Sequence, residues 1–216
     1  MGLSDSLRDL LPAHVLCATA PVELDRFDTP FPAETAPLVN AVAKRRAEFS
    51  AGRRAAHEAL TALGVPPAPL LPSPKRDPRW PDGVVGSIAH SGEWAIAAVA
   101  RAGEPHGVGL DLEPDAPLRE RLARMILTPA ERERPPWNAG GHWLRRAFVA
   151  KEAVYKAQYP LTRRFLEFEQ VTLEAEDEAS FRATLPGWSQ PVSGRWAVAA
   201  GYLLCAVCLE TGPEPL

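Results

Sequence analysis

Apolar and polar positions alternate along Gly107-Val108-Gly109-Leu110-Asp111-Leu112-Glu113-Pro114, the period of two that marks a half-buried strand. Val108, Leu110 and Leu112 fall on one face. Gly109, Asp111 and Glu113 fall on the other, which sets the two carboxylates about 7 Å apart along the chain. The same rhythm predicts strands at 14–19, 84–90 and 94–100. The last two form a hairpin through Ser91-Gly92-Glu93, with His90 at its tight end. Four more strands are predicted at 169–174, 181–185, 195–200 and 202–209. Elsewhere the spacing is helical. Leu38, Val42, Phe49, Ala56, Leu60 and Leu63 recur at helical intervals over 36–63, with Gly64 and Pro66-Pro67 as the stop. A short amphipathic helix is predicted over 118–127. Thr128-Pro129-Ala130-Glu131 then offers an N-cap, a proline at the first helical position and an acid in the first turn. A second long helix covers 142–158, preceded by Gly140-Gly141 and stopped by Pro160.

Each half of the chain thus offers a main helix and a small sheet, an α+β organisation. The natural boundary lies near Ala102–His106 and divides the chain into residues 1–105 and 106–216. With 216 residues, 46% of them hydrophobic, there is enough chain for a core in each half. The net charge of -3 gives no positive field that would draw nucleic acid. No apolar run is long enough for a bilayer and no secretory leader opens the chain, so a cytoplasmic protein is expected, with no membrane partner. Cys17, Cys205 and Cys208 make no disulfide framework. Cys205 and Cys208 sit in an apolar strand and face opposite ways, as small core residues do.

The chemistry concentrates in a few places. Two like charges on one strand face are either the solvated face of an edge strand or have a reason, of which a hard divalent cation with oxygen ligands is the simplest. The long helix adds Lys151, Glu152 and Lys156, the pieces needed to hold a metal and a phosphate together. On it Glu152, Tyr155 and Lys156 share one side, although an i,i+4 surface pair is the plain alternative for Glu152 and Lys156. On the first helix Arg45, Arg46 and Arg53 share one broad face, either solvated or set as a clamp for phosphate or carboxylate. Residues 72–83 form a basic loop with Lys75 and Arg76 that turns at Asp82-Gly83.

Five segments, in order, resemble the 4′-phosphopantetheinyl transferase family: Arg45-Arg46-Ala47-Glu48-Phe49-Ser50-Ala51-Gly52-Arg53, Arg79-Trp80-Pro81-Asp82-Gly83, Gly86-Ser87-Ile88-Ala89-His90, the acid strand 107–113, and Phe148-Val149-Ala150-Lys151-Glu152-Ala153-Val154-Tyr155-Lys156. The resemblance spans roughly 38–165. It is to the longer, single-chain type that includes the enterobactin-synthetase and mycobacterial enzymes. It implies two similar α+β halves related by a pseudo-twofold, with coenzyme A in the cleft between them. It also implies transfer of the phosphopantetheine arm to a serine of an apo acyl or peptidyl carrier protein, with release of adenosine 3′,5′-bisphosphate. Asp111, Glu113 and Glu152 would hold Mg²⁺, or Mn²⁺ in its place. Lys151, Lys156 and His90 would contact the pyrophosphate, Lys75 and Arg76 the adenosine end, and Arg45 or Arg46 with Arg53 the 3′-phosphate. Glu152 is the candidate base, with Lys156 and His90 beside it. The expected state is a monomer. Arg145-Arg146 or Arg163-Arg164 would steer an acidic carrier, or are solvated. The pattern departs from many relatives in Ala89, where a hydroxyl residue is usual, and in Leu112. A non-catalytic coenzyme A or nucleotide-binding module and a metal-dependent phosphodiesterase are the competing readings.

Overall fold

The computed structural model describes residues 2–103, 105–135 and 142–212. In chain order, α1 (Leu3–Leu10) leads to β1 (Leu16–Pro21). A single turn α2 (Pro32–Thr35) and a 3-10 turn (Ala36–Leu38) precede the long α3 (Ala43–Ala62). Then come β2 (Val84–Ser91), β3 (Trp94–Arg101) and β4 (Gly107–Pro114). After a 3-10 turn, α4 (Ala123–Ile126) and α5 (Pro129–Glu133) lead to the long α6 (Trp143–Thr162). The chain closes with β5 (Thr172–Ala175), β6 (Ser180–Thr184), β7 (Val192–Ala199) and β8 (Tyr202–Leu209). Gly140-Gly141, read as preceding the second long helix, lies outside the described residues, as does Glu104 within the predicted boundary.

One sheet has the order β1-β3-β2 and the other β4-β8-β7-β6-β5, antiparallel throughout. Alanines of α3 (Ala51, Ala55, Ala56) bury against Ala95 and Ala97 of the first sheet. On the second sheet Val149, Ala153, Val154 and Ala157 of α6 bury against Leu203, Cys205 and Val207. This is the α+β arrangement of two helix-on-sheet halves that the hydrophobic pattern predicts. The sheets meet where β2 lies beside β4, and the Leu110 amide donates to Ser87 Oγ at 3.0 Å. At the hairpin tip the Glu93 amide donates to the Tyr202 hydroxyl at 3.0 Å, a second tie between the halves.

The sequence pattern does not single out α1, a short polar helix with an apolar stripe. Its Leu3, Leu7 and Leu10 bury with Ile96, Leu110, Leu112 and Leu204, across the backs of both sheets. Arg195 adds a hydrogen bond to the Asp9 carbonyl at 3.0 Å. Two helix limits also differ from expectation. α3 starts at Ala43 rather than near 36, because the chain is extended at Val42, and Val39 and Val42 stand exposed rather than packed. α6 continues to Thr162 through Pro160. A proline in the last turn removes a single helical hydrogen bond, and Arg163 closes the end with φ 55° and its amide on the Tyr159 carbonyl at 2.8 Å. Predicted helix 118–127 is a 3-10 turn followed by the short α4. The N-cap read at Thr128 forms and is closed as a capping box: the Glu131 amide donates to Thr128 Oγ1 and the Thr128 amide to Glu131 Oε2.

Candidate functional site

β4 presents Gly107, Gly109, Asp111 and Glu113 on a single face. The two glycines seat α6. A Cβ on Gly107 would stand 2.5 Å from the Ala157 carbonyl oxygen, and one on Gly109 2.7 Å from the Ala157 amide nitrogen. Contact this close fixes α6 on β4 and carries the polar part of the helix over the acid end of the strand. Lys156 Nζ then donates to Asp111 Oδ1 at 2.6 Å. Arg145, near the start of α6, donates to Glu113 Oε2 at 2.9 Å through Nη1 and to the Ala116 carbonyl at 3.0 Å through Nε. Leu110 and Leu112 point the other way into the core, so the apolar residue between the two acids leaves them undisturbed.

The three carboxylates affect one another. Burial raises the pKa of Asp111, and Lys156 opposes that rise. Glu113 is raised by burial and then by Asp111, against Arg145, Lys156 and a hydrogen bond with Ser91. Glu152 is raised by burial and by both strand acids, with Lys156 opposing. A half-buried Glu152 that holds its proton more firmly than a free carboxyl is a stronger base once ionised.

From the first half, His90 at the end of β2 meets Arg45 of α3, with Nη1 and Nε2 3.2 Å apart. Guanidinium can only donate, so Nε2 accepts and the proton sits on Nδ1, the side of Glu48 Oε2 at 3.8 Å. Burial lowers the pKa of His90; Glu48 opposes this, while Arg45 and Lys156 add to it. The neighbouring Ala89 is buried among the core residues beneath α1, so its side chain faces away from the His90 side of the strand. Arg45, His90, Lys156, Asp111, Glu113 and Glu152 therefore gather at the junction of the halves.

Other predicted residues stand apart. Lys151 is 1% exposed, and its three N–H groups go to the Ile126 carbonyl at 2.8 Å, Glu131 Oε2 at 2.6 Å and the Phe168 carbonyl at 3.0 Å. Nothing is left for a pyrophosphate, and this corrects the expectation for Lys151. Its step of about 100° from Glu152 turns it into the interior. Arg53 is also removed from the expected clamp. It is buried, bonds the Leu70 carbonyl at 2.9 Å, stacks on Phe49, and burial lowers its pKa to about 10. Arg46 stacks on Phe27 at 4.2 Å. The shared arginine face thus splits three ways. Lys75 and Arg76 are exposed on a loop shaped by the Lys75 amide on Ser73 Oγ and a bond between Ser73 and Asp77. Asp77 also accepts from Arg163 at 3.1 Å, joining that loop to the end of α6.

Among the described residues, no three His, Cys, Asp or Glu side chains are arranged as a metal-binding group. The expected closure of Asp111, Glu113 and Glu152 on an ion is therefore not present as a coordination cluster; Lys156 and Arg145 lie on the strand acids instead. The donor chemistry still fits a hard cation. Asp111 Oδ2 is buried with no hydrogen-bond partner, and burial raises the pKa of each of the three acids even with Lys156 beside them. Beside Glu152 an apolar groove of about 130 Å³ is lined by Tyr155, Phe165, Leu166 and Phe168. Of the residues not picked out for chemistry, Arg145 could have been found by spacing: it lies two turns before Glu152 and three before Lys156, on their face.

Residues 33–100 match the 4′-phosphopantetheinyl transferase N-terminal domain family, and residues 107–207 match the 4′-phosphopantetheinyl transferase superfamily. The chain is 41% identical over 227 residues to the 4′-phosphopantetheinyl transferase PptT of Mycobacterium tuberculosis, covering 97% of this chain and 100% of that protein. It is 41% identical over 198 residues to the 4′-phosphopantetheinyl transferase Svp of Streptomyces mobaraensis, covering 83% and 78% respectively. Enterobactin synthase component D of Escherichia coli K12 is 36% identical over 153 residues, 66% of this chain and 73% of that protein.

Proposed function

The chain belongs to the 4′-phosphopantetheinyl transferase family, and from that premise we propose that it moves the phosphopantetheine arm of coenzyme A to a serine hydroxyl of an apo carrier protein. The observation that carries this reading is the meeting of Asp111, Lys156 and Glu152 from one half with His90 and Arg45 from the other. Attack of a hydroxyl on a pyrophosphate needs a base, positive charge on the phosphates, and fixed geometry.

Glu152 takes the serine proton. Lys156 leaves Asp111 for the pyrophosphate, where His90 donates a second bond through its Nδ1–H and Arg45 adds charge. Lys75 and Arg76 hold the adenosine end, with Arg46 at the 3′-phosphate side. The groove beside Glu152 suits the apolar stretches of the arm. Asp111, Glu113 and Glu152 would hold Mg²⁺, with Mn²⁺ as a substitute, and such an ion supplies charge neutralisation for the diphosphate when bound. Adenosine 3′,5′-bisphosphate leaves. Residues 1–105 and 106–216 would form the walls of the cleft, and the protein would act as a cytoplasmic monomer. No helix among the described residues is long and apolar enough to cross a membrane.

Mass spectrometry of an apo carrier protein incubated with the chain, coenzyme A and Mg²⁺ tests the proposal. The expected result is one added phosphopantetheine on the acceptor serine. Unmodified carriers across acyl and peptidyl types would overturn it.

A further inference from the structure

Both acids of β4 are held in the same way. Lys156 takes Asp111 Oδ1 and leaves Oδ2 buried without a hydrogen-bond partner. Arg145 takes Glu113 Oε2. The two basic groups differ in how they are fixed. Lys156 is 28% exposed at its side chain, and Asp111 is its one ion-pair partner among the described residues. Arg145 is 13% exposed and is anchored a second time, through Nε, to the Ala116 carbonyl. Its planar fork thereby spans the end of β4 and the turn that follows it, a geometry that a lysine cannot reproduce.

We infer that Arg145 is a positioning residue for the divalent-cation site. By holding Glu113 through Oε2, and with Ser91 hydrogen-bonded to the same carboxylate, it fixes the rotamer in which that side chain is presented to the ion. This rests on the reading of Asp111, Glu113 and Glu152 as metal ligands. It also removes Arg145 from the surface expected to steer a carrier protein: its Nε and Nη1 are committed at the base of α6. Partners of this kind around a ligating carboxylate commonly contribute about 10–100-fold to metal affinity.

The inference has a sign that separates it from simple electrostatics. A guanidinium beside a cation site repels the cation, so if Arg145 were only a counter-charge its removal would tighten metal binding. If it positions Glu113, removal weakens binding despite the relief of repulsion. The test is Mn²⁺ binding by electron paramagnetic resonance of the free ion, on the full chain without coenzyme A, for wild type, Arg145→Ala and Arg145→Lys. The expected result is binding by wild type, at least tenfold weaker binding by Arg145→Ala, and an intermediate value for Arg145→Lys. Affinity that is unchanged or tighter in both variants overturns the positioning role. Should Arg145→Ala fail to fold, Arg145→Lys decides alone, since it keeps the charge and loses only the fork: at least threefold weakening supports the role, and wild-type affinity overturns it. Wild-type protein that binds no Mn²⁺ would count against the metal reading itself, a distinct outcome. A raised Michaelis constant for the carrier with unchanged Mn²⁺ affinity would return Arg145 to a steering role and overturn the inference.

Discussion

Gly109 lies directly beneath Ala153: a methyl group on that glycine would overlap the Ala153 carbonyl and stand 2.7 Å from the amide of Ala157. The contact sets the height of α6 above β4, and with it the reach of Lys156 and Glu152 to the strand acids. Gly109→Ala is expected to destabilise the protein by about 1–3 kcal/mol through overpacking. It should also slow transfer by lifting the helix. Denaturant midpoints and single-turnover rates measure both, and a fully stable, fully active variant would show that the helix does not depend on this seat.

Glu152→Gln keeps the size of the side chain and removes its basicity. Transfer is expected to fall by about 10²–10⁴-fold, the range of a positioned general base, while coenzyme A still binds by calorimetry. Retained transfer in this variant would assign the proton to another acceptor.

Lys151 and Glu131 form a buried ion pair in which every donor of the lysine is used, and Glu131 also accepts from the amides of Thr128 and Leu173. Removing one partner of such a pair costs about 3–5 kcal/mol. Lys151→Met is therefore expected to lower the denaturant midpoint, with coenzyme A affinity near wild type at temperatures where the variant is folded. A large loss of coenzyme A affinity without loss of stability would place Lys151 at the phosphate after all.

Glu34 is fully buried, with Oε1 taking the His57 ring at 2.6 Å and the Leu70 amide at 2.6 Å. Burial alone would raise its pKa; the hydrogen bonds outweigh this and hold it below the usual 4.5. A depressed carboxylate stabilises the fold above its unfolded value, and that stability is lost as pH falls through the folded value. Urea midpoints measured from neutral pH downward should decline across that window in wild type and more gently in Glu34→Gln. Parallel declines would mean that Glu34 is not the group being titrated.

Much of this was legible in the sequence because alternation along 107–113 places Asp111 and Glu113 on one face wherever the strand goes. Glu152 and Lys156 share a helix face for the same local reason. Local periodicity does not say which residue of a basic helix turns inward. Lys151 and Arg53 read as free cations, yet burial and the carbonyls of Ile126, Phe168 and Leu70 claim them, and those partners are distant in sequence. Spacing puts Arg145 on the helix face of Glu152 and Lys156, but it does not name its partners, Glu113 and Ala116, which lie across a tertiary contact. The α1 helix was passed over because its stripe of Leu3, Leu7 and Leu10 is short and gains its value only by covering two sheets at once.

Release of adenosine 3′,5′-bisphosphate, followed with and without apo carrier protein in the presence of Mg²⁺, tests the central assignment most directly. Release equal to the carrier modified, and none when the carrier is omitted, is the predicted result. Release that proceeds without carrier, with water as the acceptor, would contradict transfer at this site and make the chain a hydrolase of the same bond.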